Sequence, residues 1–302
     1  MSLAPIALFV YNRPLHTQMT LEALQKNKSA LQSDLFIFSD GSKNEASTRK
    51  VEEVRNYIKK ISGFKSVTIV ERKYNIGLAS NIIDGVSQIV NDFGKIIVLE
   101  DDLLTSPYFL DFMNEGLRIY EEDKNVVSIH GYSYPVKENL PDTFFIRGAD
   151  CWGWATWKRG WSVFEPDGKL LLKKLTETDQ LESFDFNGAS RYVQMLKDQT
   201  EGKVNSWAIR WYASAFINNM YTLYPGKSLI SNTGGDGTGT NTGFADVDAV
   251  PLSPDPVYIT RIEVHQNIQA YEAFAGFHRK ASNRTIWFKI RRTFKKIFKP
   301  AF

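Results

Sequence analysis

Short apolar runs alternate with longer segments of mixed polarity through the first third of the chain. The runs are rich in Val, Ile, Leu and Phe, as expected for strands buried on both faces of a parallel sheet, and they cover residues 5–11, 35–38, 67–70 and 95–99. Between them, apolar residues recur at helical spacing over residues 14–24, 45–62 and 78–90. Strands that alternate with helices predict βαβ units, and therefore an α/β fold with a Rossmann-like, mostly parallel sheet flanked by helices.

Polar residues follow each of the four predicted strands. In chain order they are Asn12 with Arg13, residues 40–42, Asn75 with Gly77, and residues 100–102. The carboxyl ends of parallel strands lie at the same edge of the sheet, where open α/β sheets bind their ligands. We therefore expect these residues to surround one binding site.

The strongest chemical signal is the acidic triplet Glu100-Asp101-Asp102, which ends the fourth run. Three adjacent carboxylates repel one another and are costly to bury, so a cation is expected there. A divalent metal that shares its positions with substrate phosphates is one solution. The alternative is that the acids only cap a helix that begins near Pro107. Neither G-x-G-x-x-G nor G-x-x-x-x-G-K-[ST] occurs, so a metal and scattered basic groups would have to neutralise a phosphate.

Tryptophan is concentrated in the second half of the chain. Residues 150–161 contain four tryptophans, and Trp207 and Trp211 follow. Aromatic rings pack on the apolar faces of sugars, but they also fill cores beneath long loops. The predicted acceptor contacts are Trp152, Trp154, Trp207 and Arg210.

Residues 231–243 form a polar, glycine-rich segment that is too rich in glycine for a helix or an interior strand. Such a segment is typical of a lid that orders over a bound ligand. A flexible linker is the alternative.

The last segment, residues 285–302, carries six basic residues and no acid. Ile286, Ile290, Phe294 and Phe298 fall on one face of a predicted amphipathic helix, which is typical of an interfacial anchor on an anionic membrane. Docking of this face on the body of the protein is the alternative. The whole chain carries a net charge of +3, so without these six cations the body carries −3. This distribution argues against a nucleic-acid-binding surface.

The composition also favours a cytoplasmic protein. Cys151 is the single cysteine of the 302 residues, which excludes an intrachain disulfide and fits a reducing compartment. The N-terminus has neither the basic region nor the long apolar region of a signal peptide. No stretch approaches the length of a transmembrane helix. We expect a cytoplasmic protein at the inner face of the membrane.

Four short motifs together resemble GT-A-fold glycosyltransferases, in particular bacterial capsule and O-antigen sugar transferases related to the N-acetylglucosaminyltransferase I family. They are residues 9–14 (FVYNRP), 38–42 (FSDGS), 75–78 (NIGL) and 99–103 (LEDDL), and the tryptophan-rich segment follows them. The resemblance covers roughly residues 4–245. It implies a GT-A domain over residues 1–245, with a nucleotide-sugar half (1–104) and an acceptor half (105–245), then a C-terminal extension (246–284) and the basic tail (285–302).

The resemblance also implies roles for individual residues. The triplet would be a variant of the D-x-D motif, in which Glu100 reaches the donor sugar, Asp101 holds the ribose or the waters of the metal, and Asp102 binds Mn²⁺ or Mg²⁺. Asp40 would accept a hydrogen bond from the nucleobase. The remaining predicted nucleotide contacts are Tyr11, Asn12, Arg13, Arg72, Asn75 and Asn81.

One feature departs from the family pattern. An inverting transferase needs a general base to take the proton of the acceptor hydroxyl. In the related family an acid precedes the tryptophan that matches Trp207, whereas this chain has Asn205 and Ser206 there. Asp150 and Asp236 are the candidate bases, and a retaining mechanism without a protein base stays open.

The sequence therefore predicts a metal-dependent glycosyltransferase that uses a nucleotide sugar, with a UDP-sugar favoured, and transfers a hexosyl or N-acetylhexosaminyl group. The acceptor would be a glycan or a lipid-linked glycan in surface polysaccharide synthesis. The alternatives are a nucleotidyltransferase acting on sugar phosphates and a non-catalytic carbohydrate-binding relative.

Overall fold

A computed structural model describes residues 2–237 and 250–281. The basic tail, residues 285–302, lies outside these ranges. The strands are β1 (Ile6–Val10), β2 (Asp34–Ser39), β3 (Ser66–Glu71), β4 (Lys95–Glu100), β5 (Leu103–Thr105), β6 (Val126–His130), β7 (Thr143–Arg147), β8 (Trp154–Trp157), β9 (Tyr221–Pro225) and β10 (Ile230–Asn232).

Helices occupy most of the remaining chain. They are α1 (Pro14–Gln25), α2 (Glu45–Ile58), α3 (Leu78–Phe93), α4 (Phe109–Ile119), α5 (Lys158–Trp161), α6 (Gly168–Glu177), α7 (Leu181–Phe184), α8 (Tyr192–Thr200), α9 (Trp207–Ile217) and α10 (268–281), with 3₁₀ turns at Lys28–Gln32 and Gly234–Asp236. None of the described helices is both long and apolar enough to cross a membrane.

Within the described residues, the main sheet has the strand order β3-β2-β1-β4-β8-β6-β9-β7. The first four strands are parallel neighbours, as predicted from the alternation of apolar runs and helical segments. Strand β8 lies antiparallel between β4 and β6, and β7 closes the sheet antiparallel to β9. The prediction of an α/β fold with a mostly parallel central sheet flanked by helices is confirmed.

The sheet is covered on both faces because successive side chains of a strand point to opposite sides. In β1, Ile6 and Leu8 join the core formed with α1 and α2. Ala7 and Phe9 join the opposite core, formed with α3 and the tryptophans of the second half. Because both faces of β1 are buried, all of its side chains have to be apolar. Polar side chains can follow only where the strand ends.

Most of the tryptophans serve the core. Trp154 and Trp211 have no exposed surface, and their ring centroids lie 5.4 Å apart. Trp161 and Trp207 pack against the same pair, at 5.1 Å from Trp211 and 5.7 Å from Trp154 respectively. The alternative reading of this segment as an aromatic core is confirmed for these rings.

The glycine-rich segment begins differently from the prediction. Ser231 and Asn232 belong to β10, which pairs antiparallel with β5 directly after the acidic triplet. The prediction of a loop over residues 231–243 is wrong at these two residues, because β5 supplies a partner strand, although a strand of this two-stranded sheet is not an interior strand. Residues 238–243 of the segment lie outside the described residues.

Candidate active site

A cavity of about 590 Å³ opens at the carboxyl edge of β1, β2 and β4. It extends from there to the start of α9 and the end of α10. The lining includes most of the residues predicted from the sequence, namely Tyr11, Asn12, Arg13, Asp40, Asn75, Asn81, Glu100, Asp101, Asp102, Asp150, Trp152 and Trp207. The prediction that the four strand ends meet at one edge is therefore supported by their positions.

Four predicted site residues do not line the cavity. Arg72 forms an ion pair with Asp84 outside it. Trp154 is completely buried in the core, so the structure contradicts its assignment as an acceptor contact.

Arg210 is also directed away from the cavity, because its guanidinium donates to the carbonyl oxygens of Ser206 and Pro166 at 3.0 and 3.1 Å. The carboxylate of Asp236 lies 3.2 Å from Nε2 of His16. Neither side chain lines the cavity, and each is in contact with other partners.

The acidic triplet is paired with a basic side chain. Arg13 forms an ion pair with Asp101, and its Nη1 lies 3.0 Å from Oδ2 of Asp102. Burial opposes the charged form of Arg13, but the two carboxylates raise its pKa above the usual value. The local cation expected from the sequence is thus supplied, in part, by the protein.

Burial disfavours the ionised forms of Glu100 and Asp101. Burial, followed by repulsion from Asp102 and Asp101, raises the pKa of Glu100 to about 8. Burial raises the pKa of Asp101 to about 6, although Arg13 acts in the opposite direction. A ligand that stabilises the ionised forms of these two acids would have to carry positive charge.

The chain around the triplet is fixed by contacts with distant segments. The hydroxyl of Thr20, in α1, donates to the carbonyl oxygen of Asp101 at 2.9 Å. The amide of Thr233 donates to the carbonyl oxygen of Asp102 at 2.8 Å. Gly234 packs so closely on the Asp102 carboxylate that a Cβ there would overlap it. The glycine-rich segment is therefore built against the triplet, and Gly234 is required for the close approach.

Asp40 has a different environment from the one predicted. Its Oδ1 accepts from the amides of Gly41 at 2.8 Å and Ile76 at 3.0 Å. Its Oδ2 accepts from Nδ2 of Asn75 and the amide of Gly77, both at 3.0 Å. Four donors fill the acceptor positions of a carboxylate. Asp40 lines the cavity, but its side chain holds the turn at residues 75–77.

The far end of the cavity is an aromatic chamber around Asp150. We define this chamber by Tyr134, Asp150, Trp152, Tyr192, Trp207, Tyr212, Phe277 and His278. Oδ2 of Asp150 accepts from the hydroxyls of Tyr134 at 3.1 Å and Tyr224 at 3.4 Å. No lysine or arginine of the described residues forms an ion pair with Asp150.

His130 supports the chamber, and His278 lines it. Nε2 of His130 accepts from the amide of Trp152 at 3.1 Å, and burial lowers the pKa of His130. His278 lies on α10 with its ring 5.0 Å from that of Tyr134, and burial lowers its pKa as well. Both rings are therefore neutral near pH 7.

Sequence reasoning did not find the tyrosines of the chamber or His278. Tyr134, Tyr192, Tyr212 and His278 come from four separate segments with no shared spacing. The one available signal was the high aromatic content, 13% of the chain, and that signal does not distinguish a chamber from a core.

No protein-family model matches the sequence, and no curated protein is detectably similar to it. Several solved structures show partial similarity. The mannosyltransferase PcManGT from Pyrobaculum calidifontis, in complex with GDP-Man and Mn²⁺, is 13% identical, with a TM-score of 0.33 over 45% of this chain and 37% of that one. A putative nucleotide-diphospho-sugar transferase from Desulfovibrio desulfuricans G20 is 12% identical, with a TM-score of 0.34 over 55% of this chain and 68% of that one.

TarS from S. aureus is 12% identical, with a TM-score of 0.30 over 49% of this chain and 25% of that one. This chain thus spans well under two thirds of the length of PcManGT and of TarS. TM-scores of this size do not establish a shared fold, so these similarities do not assign the chain to a family.

Proposed function

We propose that this protein is a glycosyltransferase that moves a sugar from a nucleotide-sugar donor, most consistently a UDP-sugar, to a glycan or lipid-linked acceptor. The observation that carries the proposal is the composition of the cavity. One end has acids at the carboxyl ends of parallel strands, and the other has an aromatic chamber whose carboxylate, Asp150, forms no ion pair with any lysine or arginine of residues 2–237 and 250–281. An anionic donor with its metal suits the first end, and a sugar acceptor suits the second.

Each end of this cavity would bind one substrate. On the donor side, Tyr11, Asn12, Asn75 and Asn81 would contact the nucleoside, and Glu100 would reach the donor sugar. The turn that Asp40 holds would shape the nucleobase pocket. On the acceptor side, the half-buried ring of Trp152 would pack on the apolar face of a sugar, and Trp207, which is stacked on Trp154, would support the wall of the chamber.

The residues present fit a divalent metal that binds together with a nucleotide. Among the described residues, no group of three His, Cys, Asp or Glu side chains is arranged to hold a metal ion by itself. Mg²⁺ is normally held by one or two carboxylates plus substrate phosphates, and Asp101 and Asp102 supply such carboxylates. When bound, Mn²⁺ or Mg²⁺ would neutralise the charge that develops on the departing nucleoside diphosphate.

Asp150 is the proposed general base. It lines the chamber in which we propose that the acceptor binds, and hydrogen bonds from two tyrosines orient it. A base must lie within hydrogen-bond reach of the proton that it takes, directly or through one water. This assignment implies inversion at the anomeric carbon. Asp236, which pairs with His16 outside the cavity, is the weaker candidate.

The proposed cellular setting follows from the tail. The six cations of residues 285–302, interspersed with apolar residues, would attach the protein to an anionic inner membrane surface. The last described residue before the tail, Ala281, lines the cavity. A membrane attachment that follows Ala281 so closely in the sequence would suit a lipid-linked acceptor in polysaccharide synthesis.

Thermal unfolding in the presence of nucleotides tests the donor site. A ligand that binds only the native state must raise the unfolding temperature. UDP, GDP, CDP and dTDP are each added with and without Mn²⁺, to the wild-type protein and to Asp102→Ala. Stabilisation by one diphosphate that requires Mn²⁺ and is lost in Asp102→Ala is the expected result. No stabilisation by any of them would overturn the proposal.

A further inference from the structure

Arg13 lies beside the acidic triplet, in the position in which a cation is expected. Its guanidinium contacts the carboxylates of both Asp101 and Asp102. Only 16% of the Arg13 side chain is exposed, against 5% for Asp101 and 12% for Asp102. The three side chains therefore form a nearly buried cluster at the base of the cavity, and the proposed metal would need the same carboxylate oxygens.

The two contacts of Arg13 differ in quality. The Asp101 carboxylate accepts a hydrogen bond from Nη2. Nη1 lies 3.0 Å from the Asp102 carboxylate but is not aligned for a hydrogen bond. The contact with Asp102 is thus an ion pair without a directed hydrogen bond. It is the weaker of the two, and Asp102 is the residue that we assign to the metal.

The charge of the cavity shows why Arg13 cannot replace a metal when the donor binds. Among the described lining residues, the lysines and arginines are Arg13 and Lys43, against five carboxylates. Lys43 is exposed at the rim. A nucleoside diphosphate adds further negative charge, which one guanidinium cannot balance.

We propose that Arg13 holds the place of the divalent cation in the nucleotide-free protein, and that metal and nucleoside diphosphate displace it from Asp102 together. This inference rests on the proposed function, because it assumes that the triplet binds a metal with the donor. Arg13 is then a positioning residue that sets the order of binding. The metal alone must compete with the arginine, whereas a diphosphate offers the released guanidinium a new anionic partner.

This exchange requires energetic coupling between the two ligands. If the diphosphate raises the affinity for Mn²⁺ by some factor, Mn²⁺ must raise the affinity for the diphosphate by the same factor. In the wild-type protein, Arg13 increases this coupling factor because it weakens the binding of Mn²⁺ in the absence of the diphosphate. Removing the guanidinium should strengthen Mn²⁺ binding without nucleotide and reduce the coupling.

The experiment measures Mn²⁺ binding directly, by the electron paramagnetic resonance signal of free Mn²⁺, first alone and then with saturating UDP, GDP, CDP or dTDP. The variants are Arg13→Gln and Arg13→Lys. Lysine keeps the charge but lacks the planar fork that spans two carboxylates. The matched control is Arg49→Gln, because Arg49 is 89% exposed and pairs with Glu53 on α2, away from the cavity.

In Arg13→Gln, we expect the affinity for Mn²⁺ alone to rise about tenfold and the enhancement by the diphosphate to fall by a similar factor. Arg13→Lys should fall between Arg13→Gln and the wild type, and Arg49→Gln should behave as the wild type. If Arg13→Gln does not fold, a smaller shift in the same direction in Arg13→Lys is the deciding measurement, and no shift would overturn the proposal.

The possible failures are distinct. If the proteins bind Mn²⁺ with a diphosphate, but the Arg13 variants bind Mn²⁺ alone no more tightly than the wild type, the exchange is wrong and the proposed function stands. If none of the proteins binds Mn²⁺ with any diphosphate, the metal-dependent function is wrong, and the role of Arg13 falls with it.

Discussion

The two ends of the cavity are built in different ways. The end around the acidic triplet, which is the proposed donor end, consists of residues that follow parallel strands, and its charges are in contact, as Arg13 is with Asp101 and Asp102. The aromatic chamber draws on loops and on α8, α9 and α10, and its one carboxylate, Asp150, is held by neutral hydroxyls. The comparison teaches that topology alone can assemble a charged site, whereas an aromatic site needs the packing of many separate segments.

The strongest test of this comparison removes the carboxylate of Asp102, which we assign to the metal. Asp102→Ala should lower sugar transfer by a thousandfold or so, because the charge on the leaving diphosphate would lose its proposed counter-ion. Transfer of radiolabelled sugar at saturating donor measures this. Asp142→Ala, which removes an exposed acid from another part of the chain, is the control. Full activity of Asp102→Ala would disprove the role of the triplet.

At the chamber end, Asp150→Asn tests the general base. The amide cannot take a proton, so kcat should fall by roughly a hundredfold, within the range for the loss of a general base. Stabilisation by the diphosphate and Mn²⁺ should be unchanged, since the chamber is separate from the donor end. A larger loss of kcat in Asp236→Asn than in Asp150→Asn would move the base to Asp236.

Substitution of Asp40 distinguishes a structural role of this residue from a role in nucleotide recognition. Asp40→Ala leaves the partly buried amides of Ile76 and Gly77 without their acceptor. The free energy of unfolding should fall by about 3 kcal/mol, since hydrogen bonds to charged groups contribute ~1.5–3 kcal/mol each. Urea denaturation of the ligand-free protein measures this.

Asp34→Ala is the matched control for Asp40→Ala. Asp34 begins β2, the strand that ends just before Asp40, but it pairs with exposed Lys65, so its loss should cost less than about 1 kcal/mol. Equal effects of the two substitutions would show that the turn at residues 75–77 does not depend on Asp40.

The smallest effect is expected from His130, beneath the chamber. Its folded-state pKa is lowered, so between pH 7 and pH 5 the unfolded chain binds the proton more readily than the folded protein. This contribution to stability is complete above the unfolded pKa of about 6.5 and is lost as the pH falls. Stability in urea should therefore decline less over this interval in His130→Gln than in the wild type. Identical slopes would contradict the assignment.

Much of the fold was predictable from the sequence because local pattern determines it. The apolar runs specified β1 to β4, and Pro14 marked the first turn of α1. Topology then placed Asn12, Asn75 and Asp102 at one edge. Each of these inferences needs only the periodicity of a segment and the handedness of βαβ units.

The remaining features depend on contacts between segments far apart in the sequence. The pairing of β5 with β10 joins residues more than a hundred positions apart. The sequence indicated a cation at the triplet, but not that Arg13 would be in contact with it. It also showed Asp40 as an available acid, whereas the amide of Gly41 and three donors of the turn at residues 75–77 occupy its acceptor positions.

The position of β8 has a consequence for synthesis of the chain. Strand β4 is covered on one side by β1, and on the other only after Trp154–Trp157 has been made and has paired with it antiparallel. Until then the apolar strand Lys95–Glu100 is the open edge of a parallel sheet, which is a template for intermolecular pairing. A fragment that ends at residue 104 would keep that edge permanently. The predicted nucleotide-sugar half, residues 1–104, is therefore recognisable as a sequence unit, but it should aggregate as a separate protein.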